Sequence, residues 1–376
     1  MENWKDCKRL LVIRLDNMGD LIMSNAALAE LKEKVPDCHL TLLTSTAAAP
    51  ILPYLGTVDD ALIFDSPWMK GREKTDGPGI LRLVKKLESF RFDGCIIFNV
   101  YSQNVLPATL LAYLANIPLR TAYCRENPYH LLSHWIPDTE PLFEIQHQIK
   151  RDLKLLQHLD LRPNVRRLPR LLGLSDSIHI RCFPNIMQNE YLLVHLDVSD
   201  EKRQIPANYA HQLIKLLLQK GGYKIIYTGH TDTPYLRACI EDIDDARFYN
   251  LVGKTSLEEL MSLVEHAQVV LSVNTGVMHI ACALERPVAV LYANTNPQHG
   301  AWSAYHVQWD FDYPSELKSS NQIIRYVDEG YPRRAETLPS PQAVLEAIKT
   351  LLKTVASTDK LIYAKGDPYP AGFEID

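Results

Sequence analysis

Two segments of this chain share one design, an apolar strand running through a short turn with a glycine into a helix: LVIRLDNMGDL at 11–21 and VVLSVNTGVMHIA at 269–281. A strand that enters a helix through glycine leaves backbone N–H groups unpaired at the turn. With the helix dipole, these favour an anion such as a phosphate. In the second segment the diphosphate donors would be the N–H groups of Thr275 and Gly276 and the Thr275 hydroxyl, with Gly276 permitting close backbone approach. His279 lies one helical turn further on and can look back at such a ligand. A plainer reading stands beside this one: Asn274 and Thr275 cap the helix, and His279 is packed and hydrogen-bonded. Neither segment is a GxGxxG or a Walker A sequence, so nicotinamide and P-loop readings lose their main support.

In the first segment Asp20 follows Gly19 at the start of a helix, where a carboxylate serves either as a cap or as a general base. Asp16 is the rival carboxylate in the same turn. A base here needs an acceptor hydroxyl within reach and a pKa set by partial burial and neighbouring charge. Lys202 and Arg203, in the loop HLDVSDEKRQIP at 195–206, suit phosphate oxygens, although charged loops of this kind are commonly just solvated. Asp242 and Asp244 have DxD spacing but sit after a helix in a run of acids. They read as a solvated face, and no metal site is expected. Arg120, His147 and Lys150 are weak candidates for acceptor contacts.

The elements that must position these groups alternate between strand and helix. Strands are expected at 9–15, 39–45, 61–64 and 94–98, with helices from the first turn to Pro36 and at 80–90. The stretch 101–150 reads as a helix and loop over 104–119, and another helix spans 143–159. Residues 160–190, rich in proline and basic residues, form a candidate linker. The pattern then restarts, with strands at 191–196, 223–229, 269–274 and 287–292 and helices at 209–220, 257–266 and from 275. A last amphipathic helix covers 341–352. Two αβ halves joined by a linker predict an α/β protein of two Rossmann-like domains facing a central cleft, with ligands at the carboxyl ends of the strands.

Composition agrees. The 376 residues suit two domains, and 46% hydrophobic with 23% charged residues suits a globular chain. A net charge of −5 argues against a globally basic nucleic-acid binder. No apolar run is long enough for a membrane span, and the apolar run Leu10–Ile13 is too short for a secretion signal. The expected location is the cytoplasm. The 7 cysteines are scattered and form no CxxC pair, which fits thiols in a reducing compartment better than disulfides or zinc.

The same segments resemble glycosyltransferase family 9, the bacterial heptosyltransferase family. The similarity is carried by LLVIRLDNMGDLIMSNAALAELKEKVPDCHLTLLT at the start, VHLDVSDEKRQIP, the block LVGKTSLEELMSLVEHAQVVLSVNTGVMHIACALERPVAVLYANT at 251–295, and SPQAVLEAIKTLL near the end. It spans about residues 9–352, and the 251–295 block is its most specific part. The resemblance implies a GT-B fold with an acceptor domain at 1–175, a nucleotide-sugar domain at 185–340 and a closing helix at 341–357. The tail at 358–376 has no family counterpart. It also implies inverting, metal-independent transfer without a cofactor, most simply of heptose from ADP-heptose to a lipopolysaccharide core or related lipid-linked glycan, with peripheral contact at the inner membrane compatible. Asp20 would be the base. Thr275 and Gly276 would hold the diphosphate with His279, Arg203 and the adjacent Lys202, and Thr255 would lie near the adenine. Asn274 stands where the family usually has an aspartate that looks like a donor-sugar contact. It keeps hydrogen-bonding capacity and drops the charge. Arg203 replaces a usual lysine, and Gln204-Ile205 stands where a tryptophan often precedes the proline. Two alternatives follow: a GT-B transferase for another nucleotide sugar or acceptor, or a catalytically weak nucleotide-sugar-binding protein. Asn274 favours the latter and the intact Gly19-Asp20 turn opposes it.

Overall fold

The computed structural model of the chain describes residues 3–69, 76–174, 191–330 and 337–358. The chain divides into two compact units, Met1–Leu171 and Leu172–Asp376.

The first unit is built on β1 (Arg9–Arg14), β2 (His39–Thr44), β3 (Asp60–Ile63), β4 (Gly94–Ile97), β5 (Leu119–Cys124) and β6 (His134–Pro137), all parallel, in the order β3-β2-β1-β4-β5-β6. The two central strands show why. In β1 every residue after Arg9 is buried, as are all four of β4, the pattern of strands covered on both faces. Helices α1 (Met18–Lys34), α2 (Gly77–Phe90), α3 (Leu106–Leu114) and α4 (Gln148–Gln157) supply the cover, with α4 packed on α1. Gly94 starts β4 where a Cβ would come within 2.8 Å of the Leu10 and Trp4 side chains, so a larger residue would force that packing to shift.

The second unit repeats the plan with β7 (Tyr191–His195), β8 (Lys224–Thr228), β9 (Phe248–Asn250), β10 (Val269–Val273), β11 (Val288–Ala293) and β12 (His306–Phe311). Its order, β12-β11-β10-β7-β8-β9, is again wholly parallel. Numbered from each unit's own first strand, both sheets read 3-2-1-4-5-6, the dinucleotide-fold order. Helices α5 (Ala207–Leu216), α6 (Pro234–Ala238), α7 (Leu257–Glu265), α8 (Gly276–Ala283), α9 (Gln322–Gly330) and α10 (Pro341–Thr358) complete it, and α10 packs on α5.

Several expected bounds shift. The helix expected at 143–159 begins only at Gln148, where the His147 ring accepts the Ile149 N–H (3.2 Å) and caps it. The helix expected at 209–220 starts at Ala207, leaves α-geometry after Leu216 and finishes in a π-turn over Leu217–Gly221. β5, β6, β9 and β12 were not expected, and all four lie toward sheet margins. β6 and β12 there alternate or stay half-buried and carry no apolar run. The expected linker begins as part of the first unit. Arg167 donates to Glu30 (2.7 Å), the Asn164 N–H donates to the same carboxylate (2.9 Å), and Asn25 of α1 donates to the Arg170 carbonyl (2.6 Å). Residues 175–190 and the tail from 359 lie outside the described residues.

Candidate active site

Parallel strands place all their carboxyl ends on one edge of a sheet, and there each unit gathers its polar groups. In the first unit β1 ends on Arg14, a fully buried guanidinium. Its Nε lies 3.1 Å from Asp16 Oδ2 and its Nη2 donates to Asp20 Oδ1 at 3.3 Å. Nη1 is buried with no hydrogen-bond partner among the described residues. Asp20 Oδ2 accepts the Asn17 N–H at 3.2 Å, closing the start of α1. Asp16 also accepts from Gln103 Nε2, which follows β4. The two carboxylates differ in access: the Asp20 side chain is 13% exposed and that of Asp16 is 8% exposed.

Behind this turn the ionic cluster continues inward. Asp152 of α4 accepts from Ser24 (2.6 Å) and Gln148 (2.7 Å). Arg151 makes a bidentate pair with Asp138 (2.9 Å twice), lies 3.4 Å from Glu140 and stacks 4.4 Å over the Tyr123 ring. Burial sets the electrostatics. Desolvation pushes the Asp16 carboxyl up, only partly opposed by Arg14, and the neighbouring Asp20 adds to the rise. Desolvation raises Asp152 as well, and it takes Glu140 to about 7 despite Arg151.

In the second unit the strand β10 runs directly into Asn274-Thr275-Gly276. Thr275 is the N-cap of α8 in extended geometry, and its hydroxyl makes no capping bond. Thr275 and Gly276 are half-exposed, whereas Asn274 is buried. Arg203, from the short helical turn Glu201–Arg203 after β7, donates through Nη1 to the Asn274 carbonyl at 3.3 Å. Its Nε is buried without a hydrogen-bond partner among the described residues. A cation therefore reaches the turn that opens a helix whose N-cap hydroxyl makes no capping bond. Beneath them His195 ends β7 with Nδ1 2.9 Å from Thr228 Oγ1, and burial lowers its pKa to about 4. It is a neutral ring at pH 7.

The other expected site residues fall as follows. Lys202 sits beside Arg203 but faces Asp200 at 3.3 Å. His279 lies one turn into α8 and is buried. Thr255 is half-buried just before Ser256, the N-cap of α7, past the marginal strand β9. Arg120 is second in β5, at the opposite sheet edge from Asp20. Its guanidinium donates to the carbonyls of Leu131 (2.7 Å), His130 (2.9 Å), Pro118 (3.0 Å) and Ile117, so it works as a backbone clamp. Asp242 and Asp244 are exposed. Arg14 and Gln103 were missed. Arg14 had a readable signal, since a guanidinium inside an apolar strand of a covered sheet needs buried partners. Gln103 had none.

Two all-parallel units of dinucleotide-fold order are the two Rossmann-like domains of a GT-B fold. The model of glycosyltransferase family 9 (heptosyltransferase) matches residues 80–318, well over half of the chain, and the chain belongs to that family. Among curated relatives, lipopolysaccharide heptosyltransferase 2 of Salmonella typhimurium is 24% identical over 367 residues, covering 92% of this chain and 98% of the relative. Among solved structures, a family 9 glycosyltransferase from Veillonella parvula superposes with a TM-score of 0.72 at 16% identity, over 94% of this chain and 99% of that one. The E. coli ADP-heptose lipopolysaccharide heptosyltransferase II gives 0.68 at 19% identity, over 93% and 99%. At these identities the structural likenesses speak for the fold. No described helix is long and apolar enough to cross a membrane.

Proposed function

We propose that the protein transfers heptose from ADP-heptose to a hydroxyl of a lipopolysaccharide-core glycan, with inversion at the anomeric carbon and without a metal ion. The carrying observation is the convergence of Arg203 on the Asn274–Gly276 turn, which assembles a cation and main-chain donors at a helix N-terminus. Those groups suit a diphosphate whose negative charge grows as it leaves. The donor sugar is suggested by the relatives' names, which pair this fold with ADP-heptose and lipopolysaccharide.

In this scheme an acceptor hydroxyl binds at Asp20. The carboxylate takes the hydroxyl proton while the oxygen attacks the anomeric carbon from the face opposite the nucleotide. The C–O bond to the diphosphate breaks, and its electron pair goes to ADP. Thr275, Gly276 and Arg203 meet that charge, the part a metal ion plays elsewhere. Asp20 suits the role of base better than Asp16. It is the more accessible carboxylate, whereas Asp16 is enclosed by Arg14 and Gln103 and is pushed toward its protonated form. The reaction needs the acceptor hydroxyl at Asp20 and the donor's anomeric carbon to meet.

Asp20→Asn tests the assignment. Turnover should fall by about 10²–10⁴-fold, the usual worth of a general base, with ADP affinity by calorimetry within twofold of the native protein. A variant that keeps near-native transfer would remove Asp20 from this role. Failure of the native protein to bind ADP, with UDP or GDP binding instead, would overturn the donor assignment.

A further inference from the structure

Asn274 makes four hydrogen bonds to two other segments of the second unit. Its backbone carbonyl accepts from Arg203 of the loop after β7 (3.3 Å). Its side-chain nitrogen donates to the Ala293 carbonyl (3.3 Å) and to Thr295 Oγ1 (2.9 Å), and its side-chain oxygen accepts the Ala293 N–H (3.3 Å). An amide both donates and accepts, so it can grip both backbone groups of one residue. An ionised carboxylate only accepts. At this position it would set a lone pair against the Ala293 carbonyl. Asn274 is 5% exposed, and the far side of the clamp is itself anchored. The Asn294 N–H donates to the Phe311 carbonyl (2.8 Å), and the Tyr292 hydroxyl donates to the Asn296 carbonyl (2.5 Å).

We infer that Asn274 is a positioning residue, not a sugar contact: its amide joins the β10 turn to the segment after β11 and so holds Thr275, Gly276 and Arg203 in the geometry that receives the donor diphosphate. This rests on the donor site proposed above. The consequence is a particular pattern of affinity. A residue touching the sugar would change the binding of ADP-heptose and leave ADP alone. A residue that sets the diphosphate site changes both together.

The test is calorimetry of the full-length chain with ADP and with ADP-heptose. Asn274→Asp, nearly isosteric, should weaken both ligands in parallel by about tenfold, the size expected for losing one buried hydrogen bond and gaining a repulsive contact. Thr295→Val keeps the shape and removes one acceptor of the clamp. It should weaken both by about threefold, with one ligand still bound per chain, so that affinity rather than the folded fraction has changed. Tighter ADP-heptose binding by Asn274→Asp with ADP unmoved would make residue 274 a sugar contact and overturn the inference. Unchanged affinities in both variants would overturn it too. If the native chain binds neither ligand, the donor reading itself fails, a result distinct from both of these.

Discussion

The turn after β1 and the turn after β10 look alike in sequence but are set up by opposite physics. Counted within each sheet, β1 is the first strand of its unit and β10 the fourth of the other, so the two turns lie on opposite sides of the point where strand order reverses. Each borrows from the strand across that point: Gln103, beyond β4, braces Asp16, and Arg203, beyond β7, reaches Asn274. In the first unit the result is a buried ionic cluster in which carboxylates outnumber guanidiniums. In the second the turn itself is neutral, with Asn274 buried and His195 held uncharged, and Arg203 reaches its backbone while Lys202 pairs with Asp200. The first turn is therefore built from competing acids, whereas at the second the acids Asp197 and Asp200 stand beside His195 and Lys202 and the turn itself carries no carboxylate. The lesson is that a strand–glycine–helix turn specifies a place for chemistry, while its sign comes from the residues gathered around it.

The sharpest way to break this contrast is at Arg14. Removing its charge by Arg14→Met leaves Asp16 and Asp20 without their shared counter-ion. Breaking a buried pair from one side costs about 3–5 kcal/mol, which should appear as a lower urea midpoint. Arg14→Lys should keep most of that stability yet lose turnover, because an ammonium lacks the fork that spans two carboxylates. If Arg14→Met is as stable as the native protein, the cluster is held by something other than this pair. At the other turn Arg203→Ala should weaken ADP binding about 10–100-fold, the range of a charge-assisted hydrogen bond. Lys202→Ala should change it less than threefold, since Lys202 already faces Asp200. A larger effect at Lys202 would reverse the assignment of the loop.

Much of this was legible in the chain, and unevenly so. Central strands announce themselves because both faces are covered: RLLVIRL and VVLSV have no polar alternation to misread. The marginal strands β6 and β12 do not, because half-buried strands mix polar and apolar residues and depend on a neighbour to exist. That β10 runs through Asn274 and Thr275 into a helix could be read because Asn-Thr-Gly is a helix-capping sequence. The role of Asn274 could not. Its partners Ala293 and Thr295 are about twenty residues away, and only the pairing of β10 with β11 brings them to its amide. Arg120 misled for the same reason, its four carbonyl partners being invisible until β5 and the turn at 129–131 are in place.

The smallest expected effect separates the units by pH. Glu140 titrates near 7 when folded, above the ordinary glutamate value, because burial disfavours its charge, with Asp138 and Glu144 adding to the rise and Arg151 opposing it. Between about pH 4.5 and 7 the folded state therefore binds more protons than the unfolded chain, and stability from this group is greatest at low pH and is lost as pH rises to 7. His195 has the opposite sign. Its folded pKa near 4 lies below the ordinary histidine value, with Asp197 only partly offsetting burial. Its contribution is present above about pH 6.5 and is lost as pH falls toward 4. Urea unfolding of the full-length native chain, Glu140→Gln and His195→Gln across pH 4–7.5 reads both. Relative to Glu140→Gln, the native chain should gain stability on acidification. Relative to His195→Gln, it should lose it. Neither slope can exceed about 1.4 kcal/mol per pH unit for a single group. Slopes of the same sign would mean that the two groups do not titrate in the way their burial dictates.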